Sequence, residues 1–402
     1  MKKLPILRND LEFVLFEQDE LQYILLSDTY MYAAEPFVLH YEAFELLTYF
    51  SGEFTEEDLK SEISKISDQK NLADELLKLI YQLDEAGFML SENFFKRKAE
   101  MDAAYEELPA RPAICENKSY PADKAELIAF LENILSSDLK PEISKPAKGI
   151  IAPHIDLSLG DTVYKSYAMA YGEIDQTADV YVIMGTSHFD ANDYFVATKK
   201  AYATPLGVTE IDIDLLEDLL KQAPKGLIVD DMAHRIEHSI EFHALFLQYL
   251  LQGKEYKILP FLCGGYLCEK EDDNSEEMRI INHFVETLKK TIESSGKKVF
   301  FIASADLSHI GRRFDDEFDA EMQINQMEKA DRELLKVIKS KDAPDFIRSI
   351  KDNSNRWKVC GVAPIYSIMK LLPYSEKEIL DYAYNFETDT QSAVSFTAVA
   401  LY

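Results

Sequence analysis

Cysteines and long apolar runs are scarce in this 402-residue sequence. The four cysteines form no CxxC pair and no dense framework, which is typical of proteins in a reducing compartment. The amino-terminal stretch is broken by the charged residues Arg8 and Asp10, so it does not resemble a signal peptide. No apolar run approaches the ~18–20 residues that a bilayer-spanning helix requires. These absences predict a cytoplasmic protein without a membrane-spanning segment.

Basic residues are also few relative to acidic ones. The chain has 43 Lys and Arg against 72 Asp and Glu, a formal net charge of −29, and the acidic excess is spread along its length. Because an acidic surface repels phosphate backbones and anionic lipids, we expect neither nucleic acid nor a membrane surface as a partner. The motifs GxGxxG, GxxxxGK(S/T) and GxSxG are absent, so dinucleotide-binding, P-loop and α/β-hydrolase folds have no motif support.

A polar stretch with two prolines divides the chain. Residues 140–149, with the sequence KPEISKPAKG, lie between a helical pattern and a β-like run. We therefore predict a small N-terminal α+β domain over residues 1–139, a linker over 140–149, and a larger domain over 150–402.

The N-terminal domain is predicted to be winged-helix-like. Two apolar segments, Leu11–Phe16 and Leu21–Leu26, indicate a β-hairpin. Helical spacing then predicts helices over Tyr41–Phe50, Glu56–Ile66 and Asn71–Ala86. No helix carries the basic residues that DNA recognition requires. Two roles remain open, a peptide-recognition domain of the kind that accompanies radical SAM and peptide-modifying enzymes, or a docking domain for the second half of the chain.

The larger domain has the alternation of an α/β protein. Short, continuously apolar segments predict strands that are covered on both faces, and the segments between them predict helices. We expect a central sheet flanked by helices. The predicted strands are Gly149–Ala152, Val180–Met184, Lys257–Leu262, Val299–Ala303 and Ala393–Leu401. The predicted helices are Thr162–Tyr171, Asp214–Lys221, Glu237–Leu251 and Glu276–Ser294.

Three of the eight histidines come soon after predicted strands. His154, His188 and His309 follow the first, second and fourth of these strands. Because ligands of open α/β sheets bind where the carboxyl ends of strands meet, these side chains are expected to share one crevice. His238 lies at the start of the helix predicted from Glu237, near its N-terminus. We expect the imidazoles of His154, His188 and His238 to converge within a few ångströms of one point.

Converging imidazoles predict a metal site. Neutral imidazole binds zinc, iron, copper and nickel, and two histidines with a third ligand form the facial arrangement of non-haem iron enzymes. Asp306 is either a ligand or a residue that orients an imidazole. His234 and His243 are interpreted as surface or packing residues.

Seven ordered motifs between about residues 148 and 402 resemble the Memo family. The bacterial branch of that family is labelled AmmeMemoRadiSam system protein B. The motifs are Ala152-Pro-His154, Gly185-Thr-Ser-His188, Thr204-Pro-Leu-Gly207, Glu237-His-Ser-Ile-Glu241, Ser304-Ala-Asp-Leu-Ser-His309-Ile-Gly311, Val359-Cys-Gly361 and Ser392-Ala-Val-Ser-Phe396.

The resemblance implies the α/β fold of class III extradiol dioxygenases, which contain a non-haem iron. It implies metal ligation by His154 and His188, with His238 as a ligand or general base. It also implies a cysteine directly before the last histidine, where this chain has Ser308. Neutral serine is a poor ligand, so another side chain would have to complete an iron site. The bacterial label records co-occurrence with a radical SAM protein, which is therefore an expected partner.

The leading hypothesis is a metal-dependent oxidoreductase that acts on a small organic molecule or a modified peptide. The expected cofactor is a divalent metal, iron first, with copper or zinc as alternatives. His309, oriented by Asp306, would move a proton. The candidate site residues are His154, His188 and His238 as metal ligands, with His238, His309, Asp306 and Ser308 as catalytic residues. The first alternative is a non-catalytic peptide- or protein-binding scaffold that uses the same crevice, which Ser308 favours. The second is a zinc-dependent hydrolase with the same ligands.

Overall fold

A computed structural model describes residues 3–33, 35–49, 52–66, 71–136, 145–189, 193–223, 225–264 and 275–402. The chain divides into two units, Met1–Leu108 and Pro109–Tyr402. In the described part of the chain, no helix is both long and apolar enough to cross a membrane.

The division between the units differs from the predicted boundary. The stretch from Pro109 to residue 136 was assigned to the N-terminal domain, whereas the structure places it in the C-terminal unit. The reason is that strand β6 (Ala110–Arg111) and helix α5 (Lys124–Leu135) pair and pack with elements beyond residue 150. Of the predicted linker, residues 140–144 lie outside the described residues, and Gly149 already begins a strand.

The N-terminal unit combines small antiparallel sheets with four described helices. Its strands are β1 (Ile6–Leu7), β2 (Glu12–Gln18), β3 (Leu21–Ser27), β4 (Phe37–His40) and β5 (Met89–Leu90). Its helices are α1 (Tyr41–Tyr49), α2 (Glu56–Ile66), α3 (Leu72–Ala86) and α4 (Glu92–Glu107). Strands β2, β3 and β4 form one sheet in that order, and β1 pairs with β5.

Local sequence signals explain the elements that were predicted in this unit. Thr55 and Asp58 cap α2 reciprocally, because the Thr55 hydroxyl accepts from the Asp58 amide and the Asp58 carboxylate accepts from the Thr55 amide. Gly87, at φ 96°, ends α3 in the left-handed conformation. The hairpin and three helices are thus confirmed, whereas β4 and α4 were not predicted. The winged-helix arrangement stays a prediction.

The C-terminal unit is an α/β domain, as predicted. In chain order after β6 and α5, its strands are β7 (Gly149–Ala152), β8 (Val180–Thr186), β9 (Phe195–Ala197), β10 (Ala201–Thr204), β11 (Gly207–Thr209), β12 (Leu227–Val229), β13 (Lys257–Cys263), β14 (Val299–Ser304), β15 (Asp306–Gly311), β16 (Lys377–Glu387) and β17 (Ser392–Leu401). Its helices are α6 (Asp161–Tyr171), α7 (Ile213–Gln222), α8 (Asp231–Arg235), α9 (Glu241–Leu250), α10 (Glu276–Ser295), α11 (Ile324–Ser340), α12 (Ala343–Lys351) and α13 (Val362–Leu371).

A nine-stranded sheet forms the centre of this unit. Its order is β12-β9-β13-β8-β14-β7-β17-β15, and β16 pairs with β17. The four neighbours β13, β8, β14 and β7 are mutually parallel, so their carboxyl ends lie along one edge. Every residue of β8 is buried regardless of which face it points to, which shows that the sheet is covered on both sides. Strands β10, β11 and β6 form a separate small sheet.

One predicted feature near the histidines was wrong and another was incomplete. The helix expected from Glu237 begins only at Glu241, and residues 236–240 form a turn between α8 and α9. In this turn the Glu237 carboxylate accepts a hydrogen bond from the Ser239 amide, which competes with a helical hydrogen bond. His309 comes after the end of β14, as predicted, but it lies in a strand that was not predicted. It is the fourth residue of β15, which pairs antiparallel with β17.

Candidate metal centre

Three imidazoles meet at the carboxyl edge of the parallel strands. His154 follows β7, His188 follows β8, and His238 lies in the turn before α9. One ring nitrogen from each lies within 4.8 Å of the other two. The ring centroids are 4.8 Å apart for His188 and His238, 5.0 Å for His154 and His188, and 5.6 Å for His154 and His238. The predicted convergence is therefore found, and the role of these residues as metal ligands stays a prediction.

The cluster is open to solvent on one side. The His154 side chain is 2 % exposed, whereas those of His188 and His238 are 29 % and 35 % exposed. A small molecule can therefore reach the cluster past His188 and His238, with His154 at its base.

Glu237 is buried beneath this rim and orients His188. Its carboxylate lies 3.0 Å from His188 Nδ1 and accepts the His188 amide at 2.8 Å. The same carboxylate lies 3.4 Å from His238 Nδ1. A carboxylate on Nδ1 directs Nε2 of an imidazole outward, and this is the arrangement that commonly supports metal-binding histidines. Glu237 belongs to the motif Glu237-His-Ser-Ile-Glu241, but this role was not predicted from the sequence.

Cys360, which was not predicted as a site residue, lies beside the imidazoles. Cys360 Sγ lies 3.5 Å from His154 Nε2 and interacts with His188 as well. Gly361 makes this approach possible, because a Cβ at that position would come within 2.4 Å of the Ala305 Cβ and 2.7 Å of the Asp306 carbonyl oxygen. The cysteine beside the imidazoles is therefore Cys360. The serine at position 308 does not leave the cluster without a sulfur.

Asp306 lies beside His154. Its Oδ1 accepts the His154 amide at 3.1 Å, and its Oδ2 is 3.5 Å from His154 Nε2. Its carboxylate accepts hydrogen bonds from the amides of His154 and Ile155, and in the described part of the chain no hydrogen bond joins it to His309, so the expected orientation of His309 by Asp306 is not found.

His309 and Ser308 have other hydrogen-bond partners. The His309 Nδ1 is 3.0 Å from the Leu307 carbonyl oxygen, and the same ring also interacts with the backbone of Lys358. The ring packs edge-on against Phe314. The Ser308 hydroxyl donates to the buried carboxylate of Asp331 at 2.5 Å. The structure therefore does not bring Ser308 to the imidazole cluster.

The remaining histidines of this region are packing residues, as interpreted from the sequence. His234 lies between the Tyr202 hydroxyl and the Val196 carbonyl oxygen, and His243 contacts the Tyr171 hydroxyl. Both side chains are fully buried rather than at the surface.

A buried ion pair holds the turn that carries His238. Arg111 pairs with Glu241, and its guanidinium also donates to the carbonyl oxygens of His234 and Glu237, each at 2.8 Å. Glu241 accepts further hydrogen bonds from the backbone amides of Ile114 and Cys115, each at 2.9 Å. Residues 111–115 thus hold the turn that carries His238. This contact was not expected, because the predicted boundary assigned these residues to the other domain.

The charges of the site depend on burial and on Glu237. Burial alone would raise the pKa of Glu237, but the charge and hydrogen bonds of His188 outweigh it and hold that pKa well below its usual range. The His188 pKa is correspondingly raised, because Glu237 outweighs the effect of burial. Burial, with the neighbouring imidazoles, lowers the pKa of His154 far below normal, and burial lowers that of His238 to about 4. In the absence of a cation, His154 and His238 are therefore neutral.

Burial has the opposite effect on the two acids nearest His154. It raises the pKa of Asp306 to about 7 and raises that of the Cys360 thiol. A bound cation would reverse both shifts, since it favours the deprotonated forms.

The donor set fits a transition metal. Neutral imidazoles and a cysteine sulfur are ligands of zinc, iron and copper rather than of magnesium or calcium. A tetrahedral ion with bonds of about 2.1 Å holds its ligand atoms roughly 3.4 Å apart. The 3.5 Å between Cys360 Sγ and His154 Nε2 agrees with that spacing, whereas the imidazole nitrogens, at up to 4.8 Å, would have to move closer together around an ion.

The fold and the site together define an α/β protein with a candidate transition-metal centre at the carboxyl edge of its parallel strands. A family model described as Memo-like protein matches residues 111–400. The chain therefore belongs to the Memo family, as its motifs indicated.

Relatives extend the similarity beyond the matched region. A MEMO1 family protein of Aquifex aeolicus is 28 % identical over 373 residues, covering 92 % of this chain and 93 % of its own length. A MEMO1 family protein of Methanococcoides burtonii is 30 % identical over 227 residues, 56 % of this chain and 74 % of its own. Because the first alignment covers so much of the chain, it includes most of the N-terminal unit, which the motif resemblance did not.

Proposed function

We propose that the protein is a metal-dependent oxidoreductase, with iron or copper at the imidazole cluster, that acts on a small organic molecule or a modified peptide. The observation that carries the proposal is the meeting of the His154, His188 and His238 imidazoles at a solvent-accessible edge, with Cys360 Sγ 3.5 Å from His154 Nε2. Three imidazoles and a sulfur suit metals that change oxidation state, and the open side leaves room for a substrate.

The residues of the site have separate tasks in this proposal. A bound iron or copper ion would supply electron transfer to or from a substrate or dioxygen. Glu237 holds His188 with Nε2 directed away from the carboxylate. The proposal keeps His309 as the residue that moves a proton. Burial lowers the pKa of His309 to about 4, so its imidazole is neutral at neutral pH and able to accept one.

The same donors would also hold zinc, which supports a hydrolase as the second candidate. Zinc binds imidazole and thiolate and activates water for hydrolysis. A metal-free cysteine nucleophile is less well supported. Although Glu237, His188 and Cys360 are connected like a catalytic triad, burial raises the pKa of the thiol and keeps it protonated. The non-catalytic scaffold was favoured by a serine where a cysteine ligand was expected. Ser308 contacts Asp331 instead of the cluster, so it no longer supports that alternative.

Metal content of the full chain tests the proposal. The protein is purified without oxygen or chelator beside the His154→Ala/His188→Ala double variant and the control His283→Ala, which removes an exposed histidine of α10. We expect about one equivalent of iron or copper in the wild type and in the control, and none in the double variant. Oxygen consumption with candidate substrates then follows.

Each other result has a definite meaning. Zinc in place of iron or copper would support the hydrolase. No metal in the wild type would refute the proposal and favour a binding protein. Retention of the metal by the double variant would show that the metal binds at another site.

A further inference from the structure

Three hydroxyl groups join the segments around the imidazole cluster in a closed ring. The Ser304 hydroxyl donates to the Ser239 carbonyl oxygen at 2.6 Å, and the Ser239 hydroxyl donates to the Thr186 carbonyl oxygen at 2.7 Å. The Thr186 hydroxyl donates to the Ser304 carbonyl oxygen at 3.2 Å, which closes the ring. All three side chains are buried, with Ser239 and Ser304 at 0 % exposure and Thr186 at 5 %.

Each member of the ring lies next to a residue of the candidate site. Thr186 ends the strand before His188, Ser239 directly follows His238, and Ser304 ends the strand before Asp306. The ring therefore ties together three segments that are far apart in the sequence. Gly185 permits the close approach of the Ser239 turn, because a Cβ there would lie 2.9 Å from the Ser239 Oγ.

The direction of the ring determines where His154 carries its proton. Ser304 Oγ lies 2.9 Å from His154 Nδ1. A hydroxyl has a single proton, and the Ser239 carbonyl oxygen, at 2.6 Å, can only accept it. Ser304 must therefore accept from His154, so the Nδ1 of His154 is protonated. Its Nε2, the atom nearest Cys360 and Asp306, is left with a free lone pair.

We propose that Ser304 is a positioning residue. Because its own proton is donated to the Ser239 carbonyl oxygen, its hydroxyl fixes the tautomer and orientation of His154 so that Nε2 faces the centre. The proposal rests on the proposed metal function for its purpose, but the tautomer itself does not depend on a metal. Hydrogen-bond partners on the far ring nitrogen of a metal-binding histidine set its tautomer in the same way.

Nitrogen NMR of the metal-free full chain, with ¹⁵N-labelled histidine, measures the tautomer directly. His154→Asn identifies the His154 signals among the eight histidines. We expect the Nδ1-protonated form in the wild type. Observation of the Nε2-protonated form there would overturn the proposal, whether or not any variant folds.

Three variants separate positioning from general support. Ser304→Ala removes the acceptor for His154, whereas Ser239→Ala and Thr186→Val each remove one ring bond and leave that acceptor and its own carbonyl partner in place. We expect Ser304→Ala alone to mix the His154 tautomers and to weaken Zn²⁺ binding about tenfold or more, measured by chelator competition. If all three variants lost Zn²⁺ affinity equally and the His154 tautomer did not change, Ser304 would have a structural role only, and the proposal would be wrong. A wild type with the expected tautomer but no Zn²⁺ binding would leave Ser304 as the residue that fixes His154 and would count against the proposed function instead.

Discussion

Replacement of Arg111 by methionine is expected to destabilise the C-terminal unit strongly. The Arg111 side chain is fully buried, and its guanidinium donates to the carbonyl oxygens of Pro112, His234 and Glu237 at 3.0, 2.8 and 2.8 Å and pairs with Glu241. In Arg111→Met these carbonyls lose a donor, and the Glu241 carboxylate is left buried without an opposite charge. Removal of one partner of a buried ion pair costs about 3–5 kcal/mol, so we expect a loss of that size in the free energy of unfolding.

The single tryptophan makes the measurement specific to this unit. Trp357 belongs to the C-terminal unit, so its fluorescence during urea denaturation follows that unit alone. We expect a lower midpoint with an unchanged dependence on urea concentration. The control is Arg348→Met, which removes an exposed ion pair with Asp345 and should change the free energy by no more than about 1 kcal/mol.

A second substitution tests whether the unpaired charge is the cause. Glu241→Gln in the Arg111→Met background removes the charge, while the amide oxygen can still accept from the amides of Ile114 and Cys115. We expect the double variant to regain about 1 kcal/mol or more relative to the single variant. The reasoning would be refuted by a single variant no less stable than Arg348→Met, or by a double variant that regains nothing.

Three further changes address the site and its surroundings. Glu237→Gln keeps the shape of the side chain but removes the charge opposite His188, so we expect metal affinity to fall about 10–100-fold in chelator competition; unchanged affinity would contradict this support. Cys360→Ser should abolish the thiolate-to-metal absorption band of the Co²⁺-loaded protein, and a band that persists would remove Cys360 from the ligand set. Burial lowers the pKa of His243 to about 3, whereas the unfolded chain takes up this proton below about pH 6.5. Stability from neutral His243 is therefore complete above pH 6.5 and is lost as the pH falls, by about 1.4 kcal/mol per pH unit. His243→Asn should flatten the fall in stability between pH 6.5 and 5, measured from urea midpoints, and an equally steep fall would contradict the assignment.

The imidazole cluster could be predicted because its members follow regular elements. Parallel strands bring their carboxyl ends to one edge, so His154 after β7 and His188 after β8 had to lie near each other once the strands were identified. His238 was placed correctly although the helix expected around it begins only at Glu241. The prediction for His238 was correct because this residue lies close to the start of α9, and it did not depend on His238 being inside the helix.

The supporting residues could not be predicted in this way, because no periodicity connects them to the cluster. Cys360 reaches His154 across 206 residues of sequence, and Arg111 reaches Glu241 across 130. Cys360 follows no strand, and its position depends on a glycine that packs against Ala305. Ser308 was a candidate because the family resemblance implies a cysteine at that position, but its hydroxyl contacts Asp331 instead of the cluster.

The position of Arg111 also explains why the apparent linker was misleading as a domain boundary. Composition identifies an exposed segment, but a boundary requires that few contacts cross it. Between Leu108 and that segment, β6 pairs with β10, Arg111 and Tyr120 contact Glu241, and α5 packs on α6. A chain that began at residue 140 would leave the Glu241 carboxylate buried without the cation that balances it and would release the turn that carries His238. The family match begins at residue 111, so it includes Arg111 and the other side chains that support the turn of His238.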